Sequence, residues 1–145
     1  MATDRRADVR WNGSLLEGSG TIDSTTSGAI GGQTVTWASR STDEAAGSTS
    51  PEELIAAAHA ACFSMALSNA LATDHHPPDE LRTSATVSFQ PGEGITRIAL
   101  TVEGSVPGLD EAAFQQAAQT AKENCPVSKA LAAVPEISLE ARLTS

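Results

Sequence analysis

The stretch that decides the fold reads Ser50-Pro-Glu-Glu-Leu-Ile-Ala-Ala-Ala-His-Ala-Ala-Cys-Phe-Ser-Met-Ala-Leu67, because it holds the clearest helix signal of the chain. Ser50 is a good N-cap, Pro51 suits the first helical position, and Glu53 completes a Ser-x-x-Glu capping box. The two adjacent glutamates also place negative charge at the positive end of the helix. We therefore predict a helix that begins after Ser50 and ends at about Ala72.

This predicted helix is also the most apolar part of the chain, so a membrane span has to be considered. The stretch Leu54–Ala72 carries four polar residues, namely His59, Ser64, Ser68 and Asn69. That many polar groups weigh against a membrane span, which needs about 20 predominantly apolar residues. We expect a buried helix and no association with a membrane.

Length and charge restrict the class of protein. The 145 residues fit a single domain, residues 1–145. The formal net charge of −9 gives no basic surface for a phosphate backbone, so nucleic acid is not an expected partner. The first residues contain no apolar run typical of a secretion signal, and we therefore expect a cytoplasmic protein.

The remaining pattern predicts an α+β fold. Glycine-punctuated β-branched runs in the first forty residues predict about three strands, the last of them within Gln33–Arg40. Period-two alternation after the helix predicts a hairpin, and an alanine-rich apolar face predicts a second long helix. The later elements are expected at Leu81–Phe89, Gly94–Glu103, Leu109–Glu123, Pro126–Ala133 and Glu136–Leu143.

The chain has two cysteines, Cys62 and Cys125, whose separation excludes a Cys-x-x-Cys redox or zinc pair. Cys125 precedes Pro126 at a predicted helix start, where unpaired backbone N–H groups favour a thiolate. Lys129, one turn later, adds positive charge. A small capping residue without reactivity is the alternative for Cys125, and a buried core cysteine is the alternative for Cys62.

Histidines near these cysteines suggest two further kinds of site. His59 lies three positions before Cys62 and so on the same helical face, as in a Cys-His nucleophilic pair. A polar residue that faces a neighbouring element is the plainer interpretation of His59. The adjacent His75 and His76 lack the ligand spacing of a metal site, and we expect no metal.

Glu52 precedes Cys62 by ten residues on the predicted helix, which corresponds to about 15 Å along the axis and roughly 80° around it. One helix therefore cannot bring the two side chains together. A site that contains both needs a second, antiparallel copy of the helix, as at a two-fold dimer interface.

The segment Ser50–Leu67, followed by Cys125-Pro-Val-Ser-Lys-Ala-Leu131, resembles the OsmC/Ohr family of thiol peroxidases, and specifically its OsmC branch. The segment Trp11–Thr21 also resembles the opening strands of that branch. The resemblance implies an intertwined homodimer, in which β-sheets wrap around two central helices and the sites form at the subunit interface.

The resemblance also implies roles for four residues. Cys62 would be the peroxidatic cysteine, Cys125 the resolving cysteine, and Glu52 the carboxylate that holds a catalytic arginine. That arginine matches Arg40, which is expected in a strand shortly before the helix. Ser41 and Ser50 depart from the family pattern, which has an aromatic residue and an asparagine there.

A peroxidase of this kind would reduce organic hydroperoxides, and hydrogen peroxide more weakly, without a cofactor. An external dithiol would restore the two thiols by exchange. We expect four apolar helix residues to line a pocket for the alkyl group of the substrate: Leu54, Ile55, Phe63 and Met65.

Two rival functions fit the same sequence. A Cys-His hydrolase would use Cys62 and His59, would need no Cys125, and would form an acyl intermediate. A non-catalytic dimeric binding protein would hold apolar ligands in its interface groove, and its cysteines would only pack.

Overall fold

A computed structural model describes residues 1–43 and 46–145 of the chain. Within these ranges it contains two three-stranded sheets and four helices, which confirms the predicted α+β class. The chain divides into two compact units, Met1–Leu54 and Ile55–Ser145, which we describe in turn.

The first unit carries the predicted meander of three strands. These are β1 (Ala7–Asn12), β2 (Ser19–Thr25) and β3 (Thr34–Val35), which pair antiparallel in this order. The prediction that the third strand extends to Arg40 is wrong, because Trp37–Ser41 forms a short helix, α1.

The helix α1 forms because a capping box stops the strand. Thr36 accepts a hydrogen bond from the Ser39 backbone N–H at 3.0 Å, and the Ser39 hydroxyl accepts from the Thr36 backbone N–H at 3.0 Å. These reciprocal bonds satisfy two donors that would otherwise lack partners at a helix start. Arg40 therefore lies in the last turn of a helix, not in a strand.

The long helix α2 spans Pro51–Thr73, within one residue of its predicted end. Its start confirms Ser50 as the N-cap, since the Glu53 backbone N–H donates to the Ser50 hydroxyl at 3.1 Å. The Glu53 carboxylate accepts a hydrogen bond from the Thr49 hydroxyl at 2.8 Å. Two side chains thus fix the place where α2 begins.

The second unit combines a sheet with two further helices. β4 (Glu80–Gln90) and β5 (Gly94–Ser105) form the predicted antiparallel hairpin. The helices α3 (Glu111–Asn124) and α4 (Pro126–Ala130) then connect β5 to β6 (Glu136–Leu143). Because the chain crosses over through these helices, β6 pairs parallel with β5.

One face of α2 packs into the core of the second unit. His59, Phe63, Leu67 and Leu71 follow each other at intervals of four residues, and all are buried.

Gly104 of β5 permits a close approach to α3, because a Cβ atom there would lie 2.5 Å from the Phe114 ring. The core cluster that includes this face of α2 consists of Phe63, Leu67, Leu71, Leu100, Val102, Val106, Phe114, Ala118, Ala121 and Cys125.

The opposite face of α2 is exposed in the single chain, so the expectation of a buried helix holds for one face only. Ala57, Ala61, Met65 and Asn69 repeat at the same four-residue interval, and Met65 is 73% exposed. By length and composition α2 is apolar enough to cross a bilayer. The core helix of a soluble protein meets the same test.

Candidate active site

Cys125 lies between two helices, as the C-cap of α3 and the N-cap of α4. Pro126 occupies the first position of α4, as predicted, because its fixed φ angle and missing N–H suit that place. The Cys125 side chain is fully buried in the core cluster. It makes no capping hydrogen bond of ordinary geometry, but polar groups of the first turn of α4 lie close to its sulfur.

Cys62 lies on α2 and is partly exposed. Its sulfur is 3.1 Å from the sulfur of Cys125, and both residues are free thiols. The structure therefore brings together two cysteines that are 63 residues apart in the sequence. A disulfide of about 2.05 Å would need the sulfurs to approach by about 1 Å more.

The two thiols ionise differently because their surroundings differ. Burial raises the pKa of Cys62, and the neighbouring Cys125 raises it further, while the Val127 backbone N–H acts in the opposite direction. Burial also raises the pKa of Cys125, but the Ser128 backbone N–H and hydroxyl, together with the Cys62 thiol, outweigh it. The pKa of Cys125 is therefore lowered.

Arg40 and Glu52, which the family resemblance pairs, form an ion pair in the first unit. The Arg40 Nε and Nη2 atoms each lie 3.0 Å from Glu52 Oε1, and Nε also reaches Oε2 at 3.3 Å. The Glu52 side chain is 7% exposed and that of Arg40 is 33% exposed. A buried carboxylate thus holds the guanidinium of a partly exposed arginine side chain.

His59 and Ser128 form a second buried polar pair, in the second unit. His59 Nε2 lies 2.7 Å from the Ser128 hydroxyl, and His59 is fully buried. The imidazole thus faces a neighbouring element, which agrees with the plainer of its two sequence interpretations. The sequence analysis did not single out Ser128. Its position three residues after Cys125, in the first turn of a predicted helix, was the available sign that it could lie near that cysteine.

The loop histidines His75 and His76 lie in different surroundings. His76 Nδ1 bonds to the Asp74 carbonyl at 2.9 Å, and His75 is exposed with a φ angle of 65°. Throughout residues 1–43 and 46–145, no three His, Cys, Asp or Glu side chains converge as metal ligands would.

An open groove of about 640 Å³ runs along the exposed side of α2. Met65 lines it, together with Ser64 and Leu81. The expectation that Phe63 lines a pocket is wrong, since Phe63 is fully buried in the core. Phe63 lies four residues after His59, on the buried face of α2 that packs into the core.

A partly exposed helical thiol 3.1 Å from a buried second thiol, in an α+β fold, is an arrangement suited to thiol redox chemistry. Residues 42–140 match the family model for OsmC-like protein. The chain is 43% identical over 148 residues to peroxiredoxin OsmC of Escherichia coli, and the match covers 100% of both chains. The chain belongs to the OsmC family, which confirms the resemblance stated above.

Two other relatives agree with this assignment. The chain is 35% identical over 83 residues to an organic hydroperoxide resistance protein of Xanthomonas axonopodis pv. citri, which covers 57% of this chain and 58% of the relative. The crystal structure of the organic hydroperoxide resistance protein OhrB of Bacillus subtilis superposes with a TM-score of 0.61 at 25% identity. That superposition covers 96% of this chain and 98% of the other.

Proposed function

We propose that the protein is a thiol-dependent peroxidase that reduces organic hydroperoxides to alcohols, and hydrogen peroxide more weakly. The observation that carries the proposal is the 3.1 Å approach of a partly exposed thiol, Cys62, to a buried one, Cys125. A peroxide can reach the first, and the second is placed to react next. The names of the relatives, peroxiredoxin and organic hydroperoxide resistance protein, support this activity.

The proposed cycle has three steps. The Cys62 thiolate attacks the outer oxygen of ROOH, the O–O bond breaks, and the alkoxide takes up a proton to leave as the alcohol. Cys62 becomes a sulfenic acid, which Cys125 converts to a disulfide with release of water. An external dithiol then reduces the disulfide by exchange and is itself oxidised to a disulfide.

Arg40 and Glu52 supply the charge that this cycle needs. Because burial raises the pKa of Cys62, its thiolate is scarce at neutral pH unless a cation stabilises it. We assign that role to Arg40, whose guanidinium also suits the negative charge that develops on the peroxide oxygens. Glu52 would orient Arg40 through the observed ion pair.

The protein is proposed to act as a homodimer. The single chain leaves a stripe of small residues exposed on α2, including Ala57 and Ala61, and such residues let two helices approach closely. A two-fold axis there would pair α2 with its copy and bring Arg40 of one subunit to a cysteine pair. The ten-residue separation of Glu52 from Cys62 along α2 points to the same assembly.

Three further assignments complete the proposal. The chain functions as one domain, residues 1–145, since the family match at 42–140 runs across the boundary between the two units. The reductant is an external dithiol, because the cycle leaves a disulfide that must be opened. A cytoplasmic location, where thiols are kept reduced, suits free cysteines of this kind.

Trapping the Cys62 intermediate tests the function. After about one equivalent of cumene hydroperoxide, a Cys125→Ser variant should hold a sulfenic acid at Cys62 that reacts with dimedone. A hydrolase would form no sulfenic acid and would instead be acylated by an activated ester, and a binding protein would do neither. The hydrolase is disfavoured by the observed pairing of His59 with Ser128.

A further inference from the structure

His59 and Ser128 form a buried polar pair, and Ser128 lies on the helix that Cys125 caps. The catalytic cycle proposed above uses neither residue. His59 is fully buried, its Nε2 atom contacts the Ser128 hydroxyl at 2.7 Å, and Ser128 is 8% exposed. The other ring nitrogen, Nδ1, is buried and has no hydrogen-bond partner among the described residues. Buried polar atoms are normally paired, so an imidazole kept in this place calls for an explanation.

Ser128 connects this imidazole to Cys125. It occupies the third position of α4, whose N-cap is Cys125, so Ser128 lies within one helical turn of Cys125. A serine hydroxyl has one hydrogen but can accept two further bonds. The direction in which that single hydrogen points therefore decides whether Ser128 donates to sulfur or to imidazole.

The unpaired Nδ1 atom of His59 indicates which way the Ser128 hydroxyl hydrogen points. Burial lowers the pKa of His59, so the ring is neutral at neutral pH and carries one N–H. If that N–H were on Nδ1, a buried donor would lack any partner, which proteins avoid more strongly than an unused acceptor. The N–H therefore belongs on Nε2, where it donates to Ser128 and leaves the hydroxyl hydrogen free for the Cys125 sulfur.

We propose that His59 is a positioning residue for Cys125: its Nε2–H donates to Ser128 and thereby directs the Ser128 hydroxyl to donate to the Cys125 thiolate. Cys62 then reaches Cys125 by direct contact, and His59 reaches it through Ser128. The hydroxyl supplies part of the stabilisation that favours the Cys125 thiolate.

The consequence for catalysis rests on the proposed function. In the resolving step the Cys125 thiolate attacks the Cys62 sulfenic sulfur, the S–O bond breaks, and the S–S bond forms. Cys125 sulfur is oxidised, Cys62 sulfur is reduced, and the departing hydroxide takes a proton from solvent. A directed Ser128 hydroxyl keeps the attacking group ionised inside an apolar core, where a thiol would otherwise hold its proton.

The Cys125 ionisation can be measured without any peroxide. In a Cys62→Ser background, Cys125 is the single thiol, and the chain has no tyrosine to obscure thiolate absorbance in the ultraviolet. Ser128→Ala and His59→Leu should each raise the midpoint of ionisation by about one pH unit. Their double variant should shift no further, because both act through the same hydroxyl.

Conservative variants separate positioning from packing. His59→Gln keeps an amide donor near the place of Nε2 and should restore the lower midpoint, and Ser105→Ala, a surface control bonded to Ser145, should leave it unchanged. A shift with Ser128→Ala but none with His59→Leu would overturn the role of His59. If the leucine variant does not fold, nitrogen-15 NMR of the unmodified protein decides, because an Nδ1–H tautomer contradicts the proposal.

A kinetic measurement links the network to catalysis. In the otherwise unmodified chain, Ser128→Ala should slow disulfide formation about tenfold after a stoichiometric pulse of peroxide, while sulfenic acid forms at the normal rate. An unchanged rate of disulfide formation would contradict the catalytic consequence. Failure of the proposed function looks different, since no sulfenic acid would then form in any variant.

Discussion

The sulfurs of Cys62 and Cys125 lie 3.1 Å apart, although one thiol is partly exposed and the other is fully buried. Two thiols at this distance can form a disulfide with a small local shift. The asymmetry in exposure gives them different tasks, since a bulky peroxide has access to Cys62 and not to Cys125.

The first prediction separates these tasks by substitution. Cys62→Ser should abolish peroxide consumption from the first turnover, because the attacking sulfur is gone. Cys125→Ser should consume about one peroxide per subunit and then stall as a sulfenic acid, which excess peroxide oxidises to sulfinic acid. Mass spectrometry distinguishes these products from the wild-type disulfide, which loses two hydrogens per chain. Normal cycling of Cys125→Ser with a dithiol would reduce Cys125 to a structural role.

The second prediction concerns the guanidinium held by Glu52. Arg40→Met should slow peroxide reduction on the order of a hundredfold, the usual cost of losing one donor to a developing oxyanion. Arg97→Met is the matched control, since Arg97 forms an exposed pair with Glu136 at 3.7 Å. Stopped-flow kinetics with cumene hydroperoxide measures both rates. Equal rates in the two variants would show that another group activates Cys62, with Arg10 the next candidate.

Substitution of Glu52 should also slow peroxide reduction, but by less than substitution of Arg40. Glu52→Gln keeps the size of the side chain but removes the charge that orients Arg40, so we expect a loss of about tenfold in the peroxide reduction rate. A circular dichroism melt checks that the helix start survives. Loss of the fold rather than of the rate would assign Glu52 a structural task.

The pH dependence follows from the raised pKa of Cys62. Burial, reinforced by Cys125, favours the neutral thiol, so without a cation the reactive thiolate should become abundant only above the ordinary thiol value of 9.0. In Arg40→Met the rate of peroxide reduction should therefore still rise through that pH. In the wild type the rate should level off at lower pH, because Arg40 stabilises the thiolate. Superimposable profiles would contradict the assignment of Arg40.

Local signals in the sequence predicted most elements of the fold. The capping serine and first-position proline placed the start of α2, and period-two alternation gave β6 its observed bounds, Glu136–Leu143. The error at Arg40 has a local cause as well, since the Thr36-x-x-Ser39 capping signal was overlooked beside a β-branched run. Such signals depend on neighbours within one helical turn and can be read without tertiary structure.

Local sequence signals predicted the candidate active site less well than the fold. Resemblance to a family indicated Cys62, Cys125 and the Arg40–Glu52 pair, but residue spacing alone gave no distance between the thiols. The contact of His59 with Ser128 joins residues 69 positions apart, and it exists only because α2 and α4 pack together. No periodicity or cap predicts such a contact, because it depends on tertiary packing.

The last prediction concerns assembly through the exposed stripe of α2. Ala61→Leu should overpack a close contact between two copies of the helix and weaken the dimer, at a cost of about 1–3 kcal/mol. Each 1.4 kcal/mol corresponds to about a tenfold higher dissociation constant, which sedimentation equilibrium can measure. Ala112→Leu is the control, because Ala112 is exposed on α3, away from that stripe. If Arg40 reaches Cys62 across the interface, peroxidase activity should fall in proportion to the dimer fraction of Ala61→Leu. A monomer with full activity would mean that each chain completes its own site.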